Sequence, residues 1–148
     1  MTYLLDTNAC VECLRSRHAG VVARFRSCSP HELRVCSVVV AELRYGAYKS
    51  SNPAANLKLL QTFTEPLISV PFDDLAADAY GRIRANLEQR GQTIGPNDTM
   101  IAAIALANGL TVVTHDTAEF SRVGGLLIED WHALPLLRGT AFRTIDNP

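Results

Sequence analysis

The sequence has no apolar run long enough to cross a membrane. Its longest, such as residues 102–107, fall far short of the ~20 residues a helical span needs. The opening stretch, MTYLLDTNAC, has no basic segment ahead of its apolar residues. It reads as a first strand rather than a secretory leader. The expected location is the cytoplasm, with no membrane partner. Cysteine is also sparse: Cys10 and Cys13 have the C-x-x-C spacing, but only Cys28 and Cys36 follow. With no second such pair, and histidines that lack zinc-ligand spacing, the cysteines are expected to be reduced packing residues. A strong excess of one charge is missing too. The formal net charge is −1, which by itself gives no electrostatic pointer to nucleic acid.

What is present fits an ordinary globular chain. The 148 residues are 47% hydrophobic and 20% charged, enough to bury a core without staples and too apolar for wholesale disorder. One domain spanning 1–148 is expected, with a less informative tail from about residue 132. The charge is unevenly placed. Arg15, Arg17, Arg24 and Arg26 form one group and Arg82, Arg84 and Arg90 another. Each group alone reads as a solvated helix face.

Hydrophobic periodicity alternates between the two regular structures. Residues 2–6 form a short buried strand ending at Asp6. Asn8 is placed to cap a helix running toward Arg15. A helix over 19–27, a strand over 34–38 and a helix over 40–49 follow, the last carrying Glu42. Ser51, Asn52 and Pro53 mark a break and restart. Leu57, Leu60 and Phe63 then recur at helical spacing. A strand over 67–72 precedes Asp73, a plausible N-cap. Leu75, Ala76, Ala79, Tyr80, Ile83 and Leu87 outline a long amphipathic helix that Gly91 stops. Pro96 opens the next helix, with Ile101, Ile104 and Ala105 as its buried stripe and Gly109 at its end. Strands over 110–114 and 126–128 complete the pattern. Alternation of this kind predicts a three-layer α/β sandwich with a mainly parallel central sheet.

In such sheets, sites form beyond the carboxyl ends of the strands. Asp6 directly follows the first strand, and Asp116 sits two residues beyond Thr114 at the end of another. Glu42 lies on the helix after the second strand. Asp98 lies in the first turn of a helix, where the dipole favours its ionised form. Each acid alone has a structural explanation as a cap, a dipole residue, a turn residue or a solvated helix position. Together they could meet at one rim. Carboxylates that converge repel, and a hard divalent cation relieves the repulsion. Setting four acids aside leaves the remainder of the chain net positive, which reopens the case for an anionic partner.

Three stretches carry a family resemblance: YLLDTN, then SVVVAELRYGAYKS, then IGPNDTMIAAIALANGLTVVTHDTAEFSRVGGLLIEDW. In this order and spacing they resemble PIN-domain nucleases, and more narrowly the VapC toxins of bacterial toxin–antitoxin pairs. The similarity runs from residue 3 to about residue 131. It matches Asp6, Glu42, Asp98 and Asp116 to the family's four acids, and Asn8 and Thr114 to the accompanying polar positions. Pro96, Asn97 and Asp98, with the ending Glu129, Asp130 and Trp131, most resemble the subgroup that cleaves the anticodon loop of initiator tRNA. Some of that subgroup carry asparagine at the position of Asp116 and use an acid three residues on, here Glu119. Both acids are present in this chain. His115, beside Asp116, is a minor candidate ligand.

The resemblance implies hydrolysis of RNA phosphodiesters with Mg2+, or Mn2+ in its place, leaving a 5′-phosphate and a 3′-hydroxyl. It implies that Asp6 and Asp98 hold the ion most directly. Glu42 and Asp116 would act through water or a second ion. Thr7, Asn8 and Thr114 would support the carboxylates, and Tyr45 and Tyr48 could stack on bases, pack in the core or meet a second copy. Expected partners are an RNA, tRNA first and messenger or ribosomal RNA as the alternative, a small cognate antitoxin and a second copy of the chain. Two other α/β classes also put an aspartate at a strand end. A phosphorylation-receiver domain needs an acid pair there and a late lysine, but the last lysine is Lys58. A haloacid-dehalogenase-type phosphatase needs an acid two residues on, where this chain has Asn8. A PIN fold kept only for binding would have shed its acids, and all four are present.

Overall fold

The computed structural model describes residues 1–133. The expectation of a tail role beyond them lies outside the described residues. Strands β1 (Tyr3–Leu5), β2 (Leu33–Cys36), β3 (Ile68–Val70), β4 (Thr111–Val113) and β5 (Leu127–Glu129) form one sheet in the order β3-β2-β1-β4-β5. Every pairing is parallel, with Leu4 opposite Arg34 on one side and Val112 on the other. The expected "mainly parallel" sheet is parallel throughout its described strands.

The central strands are apolar on both faces. Leu4, Leu5, Val35 and Val112 are fully buried, as parallel strands covered by helices on both faces must be. Helices α1 (Thr7–Leu14), α2 (Ala19–Ser27), α3 (Ser37–Tyr48), α4 (Pro53–Thr64), α5 (Asp74–Gln89), α6 (Pro96–Asn108) and the short α7 (Thr117–Phe120) supply the crossovers. The chain runs outward from β1 to β3, then returns across the sheet to β4 and β5. Right-handed crossovers turn these two runs onto opposite faces. The reversal falls between β1 and β4, so a crevice opens beyond their carboxyl ends.

Three local expectations need correction. Asn8 does not cap α1. Asp6 does, because the helix begins at Thr7 and the Asp6 Oδ1 accepts from the Ala9 N–H at 2.8 Å. Helix α3 starts at Ser37, directly after β2, rather than near residue 40. Its first turn is Ser-Val-Val-Val, a β-branched run that locally resembles strand, and packing overrides that preference. Leu75 is exposed, whereas Ala76, Ala79, Ile83 and Leu87 make the buried stripe of α5. Helix α6 is buried around most of its circumference from Ile101 to Ala105. Its alanines let it sit close against α5 while its first turn stays at the rim. Gly109, at φ +63°, ends it in the left-handed conformation that glycine adopts without strain.

Candidate metal-dependent nuclease centre

Four elements deliver acids to the crevice. Asp6 is carried by the end of β1, whose next backbone N–H donates to the Val113 carbonyl of β4 at 3.1 Å. Only 6% of Asp6 is exposed. One carboxylate oxygen caps α1, and burial pushes its pKa up despite the opposing hydrogen bonds from Thr114 and Ala9. The Thr114 hydroxyl sits between two acids: it accepts the Asp116 N–H at 2.9 Å and favours the ionised form of Asp6.

Asp116 is exposed and caps α7, accepting the Glu119 N–H at 3.4 Å. This turn folds Glu119 back toward the crevice. Asp98 enters from the first turn of α6, which Gly95 and Pro96 open without any side-chain cap. Ligand oxygens of Asp98, Asp116 and Glu119 all lie within 4.8 Å of one another. The tightest trio thus includes Glu119, the residue that sequence reading left as an alternative to Asp116. Asp6 and Glu42 stand farther out, close enough to act electrostatically on Asp98. The Asp98 pKa is raised to about 6, first by burial and then by Glu119, Asp6, Glu42 and Asp116 in that order. Four acids therefore act on Asp98 at one rim.

Glu42 reaches the crevice because α3 packs against α6 as well as α1. Its Oε1 is buried without a hydrogen-bond partner, and so is the Oγ1 of Thr7. Buried polar atoms without partners are costly, and native structures rarely leave them unexplained. Two orphaned oxygens beside mutually repelling carboxylates fit a bound cation and its water. The donor set is all oxygen, which suits Mg2+ or Mn2+ rather than a softer metal.

A groove of about 650 Å3 leads away from Thr7 and Glu42. Arg15, Arg17 and Lys49 line it, with Leu14, Leu43 and Leu59 on its floor and walls. The first arginine group is therefore split. Arg24 instead donates to the Tyr3 hydroxyl at 2.8 Å and lies over the buried Trp131 ring. In the second group Arg82 pairs with Asp78 and Arg84 with Glu88, each one turn away on the same helix, while Arg90 donates to Asn86, Gln92 and the Arg122 carbonyl. Tyr45 and Tyr48 are 65% and 63% exposed, which rules out core packing for both. Asn8 is exposed on the other side of α1, near His115 and Asp130.

The chain matches the PIN domain over residues 3–126. It is 40% identical to the tRNA(fMet)-specific endonuclease VapC of Shigella flexneri, across 88% of this chain and 98% of that one. This chain belongs to the VapC family of PIN-domain ribonucleases. Two solved structures extend the VapC likeness to three dimensions. DNA-bound VapBC from Salmonella typhimurium superposes with a TM-score of 0.83 at 37% identity, covering 88% of this chain and 98% of that one. VapBC2 from Rickettsia felis, bound to a promoter DNA fragment, gives 0.82 at 34% identity over 88% and 99%. Among the described residues, no helix is long and apolar enough to cross a membrane.

Sequence reading missed one feature of this rim. His18, His132 and His115 stack in that order, with ring centroids 4.0 Å apart at both steps. They come from the start of α2, the turn after β5 and the loop after β4. No spacing in the sequence announces their convergence. The four cysteines carry free thiols. Burial pushes the thiol of Cys10 well up and that of Cys13 to about 12, which leaves both protonated and poor ligands.

Proposed function

We propose that this VapC-family ribonuclease is the toxin of a type II toxin–antitoxin pair, acting in the cytoplasm as a Mg2+-dependent endoribonuclease on the anticodon loop of a tRNA. The observation that carries the catalytic reading is the convergence of Asp98, Asp116 and Glu119, with Asp6 and Glu42 close by, at the β1/β4 crevice. The tRNA reading is supported by the 40%-identical relative that is named for tRNA(fMet).

Asp6 and Asp98 would hold the ion, with Asp116 and Glu119 completing the oxygen set directly or through water. When bound, the ion lowers the pKa of its water and offsets charge on the scissile phosphate. The chain's own groups do the rest. Glu42 Oε1, free of any hydrogen bond, orients the attacking water. Thr7 offers a hydroxyl to it, and Thr114 favours the ionised form of Asp6 against the burial that opposes it. Attack on phosphorus breaks the bond to the 3′ oxygen, leaving a 3′-hydroxyl and a 5′-phosphate. Arg15, Arg17 and Lys49 would take flanking phosphates along the groove, which positions RNA without reading its sequence. An anticodon loop suits such a shallow rim because its bases are already splayed from a helix. Tyr48 is exposed to stack on them, and so is Tyr45 on the face that Lys49 does not cover.

The same groove suits the inhibitor. A segment of a small antitoxin could lie over Leu43 and Leu59 and place a basic side chain among the acids, neutralising them as a cation does. The VapBC complexes that share this fold support that partner. We also take the working assembly to be a homodimer, checked by light scattering at micromolar concentration: a monomer throughout would reject it.

The substrate is tested by expressing the protein in cells and mapping new 5′-phosphate ends across the transcriptome. Ends within one tRNA anticodon loop, absent with Asp6→Asn, are expected. Ends spread over messenger RNA or confined to ribosomal RNA would reject the tRNA assignment. Identical ends from Asp6→Asn would reject the nuclease centre itself.

A further inference from the structure

The histidine stack sits outside the acid centre and has ligands of a different kind. One nitrogen each of His115 and His132 and one oxygen of Asp130 lie within 4.8 Å of one another. Asp130 is held in place from two sides. Its Oδ2 is 3.0 Å from the His115 Nδ1, and its Oδ1 accepts the His132 N–H at 2.9 Å. Glu12 Oε2, from α1, is 2.7 Å from the His132 Nε2. A carboxylate on an imidazole nitrogen fixes the ring's tautomer and direction, as at many metal-ligating histidines.

Two simple ion pairs do not fully account for this cluster. The His115 and His132 rings stack at 4.0 Å and 23°, and His18 stacks on the far face of His132 at 6°. The cluster gathers ring nitrogens of His115 and His132 beside the Asp130 carboxylate, with Glu12 Oε2 2.7 Å from the His132 Nε2. A single divalent cation would engage these groups together.

We propose that His115, His132 and Asp130 form a second metal site, oriented by Glu12 and selective for a borderline transition metal of the zinc class over magnesium. Imidazole with one carboxylate is the donor set of zinc, whereas magnesium takes oxygen. Coordination lies in the plane of each ring, so His115 turns out of the stack to share the ion. Its side chain is 64% exposed, and turning exchanges its Asp130 hydrogen bond for a shared ion. The bound metal joins the loop carrying Asp116 to the turn after β5, and through Glu12 to α1. Its role is to brace the strand-end loop that supplies Asp116 and Glu119 to the neighbouring centre. This proposal goes beyond the ribonuclease reading and does not depend on it.

The test uses the full-length protein, reduced, at pH 7.5 with millimolar Mg2+ present throughout. Zn2+ is titrated by calorimetry and Co2+ by visible absorption. The expected result is one equivalent bound with micromolar affinity or better and a rise in thermal midpoint. His115→Gln and His132→Gln should each weaken binding at least tenfold, and Asp98→Asn should leave it unchanged. His115 is exposed, so His115→Gln is expected to fold normally; circular dichroism checks this. Binding that Asp98→Asn abolishes and the histidine variants retain would overturn the proposal, because the ion would then sit in the acid centre. A thiolate charge-transfer band with Co2+, or no binding below millimolar metal, would overturn it as well.

Discussion

Two acid-bearing clusters share one rim of the sheet, and their carboxylates are perturbed in opposite directions. In the crevice between β1 and β4, Asp98 is pushed up to about 6 by burial and four other acids. A few residues away in space, Asp130 ends lower than an ordinary aspartate. Burial raises it, but the His132 N–H and the His115 and His132 imidazoles outweigh that. No basic side chain is among the groups that shift Asp98 in the first cluster. The second carries its compensation in its own side chains. The difference separates an all-oxygen centre, where acids meet only one another, from a mixed centre whose carboxylate is already partly balanced by imidazoles.

The comparison is broken most severely at the acids of the crevice. Asp6→Asn keeps an acceptor for the α1 cap but removes a negative charge from the centre. RNA cleavage should fall roughly a thousandfold or more, measured as initial rate on a fluorescent RNA. Glu119→Gln should cost less, about 10- to 100-fold, because Asp116 remains beside Asp98. An unchanged rate would remove Glu119 from the centre and leave Asp116 as the fourth acid.

Stability separates the clusters by sign. Asp98 titrates at about 6 in the folded chain against 3.8 ordinarily, so its ionisation opposes folding. That penalty is absent below the ordinary value, grows as pH rises between the two and is complete above the upper one. Asp98→Asn should therefore raise stability by about 1–2 kcal/mol at pH 7.5, after allowance for partial exposure, and by nothing at pH 3.5. Urea unfolding without divalent metal reads this. Asp130 is the reverse case. Its lowered pKa contributes stability that is present above the ordinary carboxylate range and lost as pH falls through the lowered value. Asp130→Asn should destabilise by less than about 1 kcal/mol at neutral pH. Equal signs for the two variants would erase the distinction between the clusters.

Much of the crevice was legible because its acids sit where local signals end. Asp6 closes an apolar run, Asp116 follows another, and Asp98 stands three residues into a helix that Gly95 and Pro96 announce. The structure adds the reason they meet: β1 and β4 are neighbours across the reversal in strand order, which no local pattern specifies. Glu119 was legible only as an alternative, since its approach depends on the tight α7 turn that Asp116 itself caps. The histidine stack was not legible at all. Its members stand at positions 18, 115 and 132, and only the sheet order brings them together. Asn8 illustrates the opposite error. A good capping residue at a plausible place lost to Asp6, which does two jobs at once.

The most direct test of the central claim pairs activity with stability in one variant. Wild-type protein and Asp98→Asn are incubated with a labelled RNA across a Mg2+ titration, with chelator as the zero point, and both are melted under the same buffer. The account predicts Mg2+-dependent cleavage leaving 5′-phosphate ends in the wild type. It predicts that Asp98→Asn is inactive yet at least as stable in the absence of metal. Cleavage that persists in Asp98→Asn, or in chelator, would contradict the claim that these carboxylates act by holding a cation.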